Sequence, residues 1–83
     1  MPQVHRLGDL NEDGGEITSI PQGNVFANDI LVSVDGSEVE GNDLTANGSP
    51  TVFIGGIPVN RLGDEDEDGS PRAEGSSNVF VGP

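Results

Sequence analysis

The chain has 83 residues, with 15 acids against 3 arginines, no lysine and a net charge of −12. No basic patch exists to neutralise phosphates, which excludes nucleic-acid binding, and the absence of cysteine excludes disulfides and thiolate metal sites. A single domain of this size buries only about 60% of its unfolded surface, so it needs help from a bound ion or a partner.

Leu, Ile, Val and Phe total 22 of the 83 residues, or about 27%, above the roughly 20% below which highly charged chains stay disordered. No apolar run approaches the ~18 residues of a membrane span, and the start of the chain lacks the charged-then-apolar pattern of a secretory signal. In chain order, "QVHRLGDLNEDGG" (residues 3–15) opens with a short strand and runs into acids and glycine. "NVFANDI" then predicts a strand at Val25-Phe26 and a tight turn at Asn28-Asp29, and "ILVSV" (residues 30–34) predicts a returning strand. Residues 35–43, "DGSEVEGND", read as an acidic loop. The pattern resumes at Val52-Phe53, turns at Gly55-Gly56, returns through "IPVNRL" (residues 57–62), enters a second acidic loop at Asp64–Gly69, and reaches a last strand at Val79-Phe80. Both turn pairs suit the positive φ of two-residue hairpins. The alternation in 30–34 and 57–62 predicts polar residues facing outward at every second place. No stretch carries helical apolar spacing over ten residues, so the chain reads as all-β.

The three phenylalanines, Phe26, Phe53 and Phe80, are spaced 27 and 27 apart, and each follows a valine. They are entered through Gly23-Asn24, Ser49-Pro50-Thr51 and Ser77-Asn78. Gly63 matches Gly36, and Val4 to Gly14 corresponds to Val59 to Gly69. A fixed period of this size signals repeated supersecondary units. The expectation is a small domain of short β-hairpins with a pseudo-threefold internal repeat, one unit being split between the two termini.

With its three Val-Phe units, "GSPTVFIGGIPVNRLGD" (residues 48–64) and "HRLGD" followed by "GG" near the start, the sequence resembles the PAAR-repeat proteins, named for a Pro-Ala-Ala-Arg motif. Pro58, Val59, Asn60 and Arg61 stand at that motif's place and keep its Pro and Arg. The resemblance spans residues 1–83 as one PAAR-like domain. It implies a small cone that caps the blunt end of a trimeric β-helical spike protein, one tip chain per three spike chains, and sharpens it for membrane piercing. The implied setting is the virion, at the central spike of a phage tail baseplate, with a bacterial secretion needle tip, extracellular on firing, as the alternative. With no extension after Pro83, the phage setting is the expected one. The target cell envelope would be met transiently. Val25, Phe26, Val52, Phe53, Val79 and Phe80 are the candidate partner-binding residues; core packing is the commoner use of Phe at a fixed period, and both uses stay open.

The family's zinc is held by His and Cys, with a His just before a Gly. Asp13 and Asp68 stand at that place here and Cys is absent, which argues against zinc. Asp9, Asn11 and Asp13 before Gly14, and Asp64, Asp66 and Asp68 before Gly69, match the opening of a calcium loop. Position twelve is Ile20 or Gly75 rather than Glu, so neither is an EF-hand. If the units close into a ring, Asp13, Glu40 and Asp68 come from equivalent loops and are candidate oxygen ligands for Mg²⁺ or Ca²⁺, solvated acidic turns being the alternative. His5, alone in a polar alternate position, is expected to be exposed. Arg6 and Arg61 are expected to pair with Asp9 and Asp64, for at most about 1 kcal/mol each if exposed.

No nucleophile and base assemble, and without Trp or Tyr the chain offers no aromatic-lined cleft. Paired carboxylates leave glycoside hydrolysis open by residue type alone, but the expected protein is not an enzyme. Two functions remain: a structural spike tip, and a small acidic calcium-binding module using its Asp-rich loops. The loop 35–43 breaks the Asp spacing while the Val-Phe period persists, which favours the tip.

Overall fold

The computed structural model describes residues 2–21 and 24–82; Gly23, expected to lead into the strand at Val25, lies outside the described residues. Seven short strands follow in chain order: β1 (Ile17–Ser19), β2 (Phe26–Ala27), β3 (Ile30–Leu31), β4 (Glu38–Val39), β5 (Asp43–Leu44), β6 (Phe53–Ile54) and β7 (Ile57–Pro58). No helix occurs among the described residues. All pairings are antiparallel, with β1-β4-β5 forming one sheet and β2-β3 and β6-β7 two separate hairpins. The fold is therefore a small all-β domain, measuring 25 × 24 × 22 Å.

Local chemistry explains the hairpins. Asn28 and Asp29 have φ of 56° and 64°, and Gly55 and Gly56 have φ of 58° and 81°. Positive φ at both central residues gives the turn whose twist matches that of the strands. The stretch read as an acidic loop, 35–43, holds a third turn: Glu40, Gly41 and Asn42 link β4 to β5, with Gly41 and Asn42 at φ of 93° and 65°. Its signal is hidden because Glu38 and Asp43 sit in the strands and Val39 is the one apolar residue of the stretch, 3% exposed.

Two-residue strands cannot hold a fold alone, and contacts distant in sequence do the stitching. Isolated bridges join Gln3 to Phe80, Val4 to Arg61, Arg6 to Val32 and Val34 to Val59. The Val4 N–H donates to the Val79 carbonyl at 3.0 Å, the Val32 N–H to Val25 at 2.8 Å, and the Val59 N–H to Val52 at 3.0 Å. At the centre the hydrogen bonds close on themselves. Ser33 N–H donates to His5 at 2.9 Å, His5 N–H to Asn60 at 3.1 Å, and Asn60 N–H to Ser33 at 2.9 Å.

This closed circuit overturns the outward placement of the polar alternates. His5, Ser33 and Asn60 are all fully buried, because the three segments that carry them pass against one another. Ser33 Oγ donates to Asn60 Oδ1 at 2.6 Å, and Asn60 Nδ2 donates to the Asn47 carbonyl at 2.7 Å, so two of these polar groups are satisfied from within the fold. On the other side of the same segments lies the apolar core: Val4, Ala27, Val32, Val34 and Val59, with Ile20, Val52, Ile54, Ile57 and Val81 packed on it. Of the motif-place residues, Pro58 is half-buried in β7, Val59 is core, Asn60 belongs to the circuit and Arg61 leaves the core for Asp64.

Three tight turns follow these segments with the same bonds. Asp9 N–H donates to the Arg6 carbonyl, Ser37 N–H to Val34, and Asp64 N–H to Arg61, each at 3.0 Å. In each turn the side chain returns the favour: Asp9 accepts the Arg6 N–H, Ser37 the Val34 N–H and Asp64 the Arg61 N–H. Gly8, Gly36 and Gly63 occupy the third place with φ of 84°, 86° and 91°, and each would have open space around a Cβ. Glycine is used there for its conformation rather than its size.

Candidate functional site

The first site is apolar. Each of β2 and β6 begins with its phenylalanine and turns the next residue toward the core: Ala27 is 4% exposed while Phe26 is 60% exposed. Phe53 and Phe80 are likewise 52% and 46% exposed, with Val25 and Val79 exposed beside them and Val52 half-buried. Core packing of the phenylalanines is thus corrected. The core under the hairpins is filled by Val4, Ala27, Val32, Val34 and Val59, and the phenyl rings stay outside it.

Val25, Phe26, Val52, Phe53 and Val79 surround a depression of about 310 Å³ whose floor includes Val4, Val32 and Val59. Only apolar residues line it, although the chain carries 15 acids. Monomeric domains seldom leave such a patch open without a use for it.

The second site is polar, and it consumes the arginines. Arg6 grips Asp9 through Nε and Nη2 at 3.0 and 3.2 Å, and Arg61 grips Asp64 at 3.0 and 2.8 Å. Both pairs form as the sequence predicts, but they are mostly buried rather than exposed. Arg72, which sequence reasoning missed, is the centre of the network. Its Nη1 donates to both oxygens of Asp66 at 2.8 and 2.7 Å, its Nη2 to the Asp9 and Gly15 carbonyls at 2.9 Å each, and its Nε to His5 Nε2 at 2.9 Å. The available signal was scarcity: with three cations among 15 acids, each arginine was bound to organise one acidic turn.

His5 is correspondingly far from its expected exposure. Its Nδ1–H donates to the Glu74 carbonyl at 2.6 Å and its Nε2 accepts from Arg72, so the ring is neutral with both nitrogens engaged. Burial, reinforced by the neighbouring Arg72 charge and opposed by the bond to Glu74, lowers its pKa from 6.5 to about 4.

The calcium-loop residues serve the fold. Asn11 Oδ1 accepts the Asp13 and Gly15 N–H groups at 2.9 and 2.7 Å, while Asn11 Nδ2 donates to Asp66 Oδ2 at 2.8 Å. Ser70 Oγ donates to Asp13, and Asp68 accepts the Ser70 N–H at 2.9 Å, which holds the Asp68 carboxyl below its usual range. Among the described residues, the acids whose oxygens lie within 4.8 Å of one another are Asp43, Asp66 and Asp68. Asp13 and Glu40 are not brought to Asp68 in such a group; Glu40 is exposed and its N–H donates to the Glu16 carbonyl at 2.9 Å, just beyond β4 and β1. Asp66 is already neutralised by Arg72, and Asp43 Oδ2 is buried with no donor. The residues do not fit the zinc site of the family resemblance: there is no cysteine and both nitrogens of the one histidine are taken.

Compared with known proteins, the chain matches no family model and no curated protein.

Proposed function

We propose that this chain is a non-catalytic spike tip of the PAAR-repeat kind, which seats its apolar face on the blunt end of a trimeric β-helical spike and sharpens that end for envelope penetration. The observation that carries the reading is the exposed trio Phe26, Phe53 and Phe80 in a chain of charge −12, with Phe26, Phe53 and the valines Val25, Val52 and Val79 lining an apolar depression. The three matching turns and the central circuit support reading the chain as three units about one axis, one unit split between the termini. A single chain of that form meets three spike chains without a symmetry mismatch. Glu12, Asp13, Glu65, Glu67 and Asp68 of the acidic loops are left facing solvent. The tip works at the central spike of a phage tail baseplate, or at the end of a secretion needle, and touches the target envelope as it passes.

The test is co-expression with a trimeric β-helical spike fragment from the same genome, followed by native mass spectrometry. The expected mass is three spike chains plus one of this chain, lost when Phe26, Phe53 and Phe80 are all replaced by serine in a variant that still melts cooperatively. A chain that stays alone overturns the reading.

A second reading, an acidic module that binds Ca²⁺ or Mg²⁺, is favoured by one observation, the partnerless Asp43 Oδ2 close to Asp68. A hard cation would satisfy that oxygen. Titration calorimetry on the wild type and on Asp43→Asn tests it: heat that disappears in the variant supports it, and no heat in the wild type removes it.

A further inference from the structure

His5 ties the beginning of the chain to its end. Around it, residues 71–76 are held against residues 4–15: the Ala73 and Glu74 N–H groups donate to the Leu10 carbonyl at 2.9 and 3.2 Å, the Ser76 N–H to Val4 at 2.9 Å, and the Glu12 N–H to Pro71 at 3.0 Å. Arg72 enters from this segment and lies in the plane of contact, its charge balanced by Asp66. The remaining groups that face the ring are Asp9, with Oδ2 3.9 Å from Nδ1 and gripped by Arg6, and Glu74, whose carbonyl takes the ring proton while its carboxylate accepts the Leu10 N–H at 3.0 Å. The free lone pair of the imidazole is therefore aimed at a permanent cation, and guanidinium has no acceptor to offer a second ring proton.

We infer that the His5–Arg72 contact is an acid-opened lock: a proton on Nε2 sets two buried cations against each other, Arg72 leaves its socket, and residues 71–76 separate from residues 4–15 while the valine core and the apolar face stay folded. The inference does not rest on the spike reading. With residues 71–76 parted from residues 4–15, the ring reaches water and loses the Arg72 charge beside it, so it returns to its ordinary affinity for protons and the open form binds a proton that the closed form refuses. Falling pH then favours opening. A ring held at about 4 when closed and near 6.5 when open raises the opening equilibrium about 30-fold between pH 7.5 and pH 5.

Because His5 is the only histidine, its ring signals in nuclear magnetic resonance are unambiguous. The expected result is an Nδ1–H tautomer at neutral pH that titrates well below 6. Over the same range, the Ala73, Glu74 and Ser76 amides should lose about 30-fold of their hydrogen-exchange protection, corrected for intrinsic rates, while the Val32 and Val59 amides keep theirs. His5→Gln, which can still accept from Arg72 but cannot titrate, should abolish the response. A ring that titrates near 6.5 with protection unchanged overturns the inference, as does Val59 opening together with Ala73, or a pH response that survives His5→Gln. Should His5→Gln fail to fold, the wild-type titration and exchange decide alone.

Discussion

Arg72 is fully buried and every one of its five N–H donors has an acceptor. A buried guanidinium is tolerable only under those terms, since one carboxylate balances the charge and neutral acceptors fill the remaining donors. Arg72→Met leaves Asp66 charged and buried without its partner and is expected to cost about 3–5 kcal/mol in urea unfolding, with part of the loss recovered by adding Asp66→Asn. His5 sets the pH dependence. Its folded pKa lies below its ordinary value, so its contribution is whole above pH 6.5 and is lost as pH falls toward 4. The full loss amounts to about 3 kcal/mol. A series of thermal melts should show Tm falling through that window, and a Tm constant from pH 7 to pH 4.5 would refute the assignment.

At the level of elements, turns and close backbone approaches carry different costs. Gly56 has φ of 81° and open space where a Cβ would stand, whereas a Cβ on Gly75 would lie 2.6 Å from the Val4 carbonyl oxygen. Gly56→Ala is expected to cost about 1 kcal/mol of backbone strain. Gly75→Ala must push the last segment off the first and is expected to cost about 2–3 kcal/mol. Chemical unfolding of the two variants checks the order, and equal costs would contradict the close approach. The same contrast marks what was legible. The pairs Asn28-Asp29 and Gly55-Gly56 announce their hairpins because turn chemistry is local. The β1-β4-β5 sheet does not, because its strands are two or three residues long, Glu38 and Asp43 read as loop acids, and only long-range pairing, such as Ile17 with Val39, tells strand from loop.

For the molecule as a whole, burial is divided between a small valine core and an apolar face left outside. Val59 is 1% exposed and Phe53 52% exposed. Val59→Ala is accordingly expected to cost about 2 kcal/mol through the cavity it leaves, and Phe53→Ala less than about 1 kcal/mol despite removing a larger side chain. Urea midpoints measured side by side check this. A larger loss for Phe53→Ala would return that ring to the core and empty the proposed interface of its purpose. The charge follows the same division: no acid lines the apolar depression, although the chain carries 15.

From sequence alone, the all-β class, the two hairpin turns, the Arg6–Asp9 and Arg61–Asp64 pairs and the even spacing of the phenylalanines were determined, since each depends on residues that are close in the chain or on a period that can be counted. Tertiary structure alone decided that Phe26, Phe53 and Phe80 face outward, that His5, Ser33 and Asn60 face inward, and that Arg72 takes Asp66. Which side of a two-residue strand is the inside depends on the backbone that crosses it, and here the crossing partners of His5 are Ser33 and Asn60, both remote in sequence.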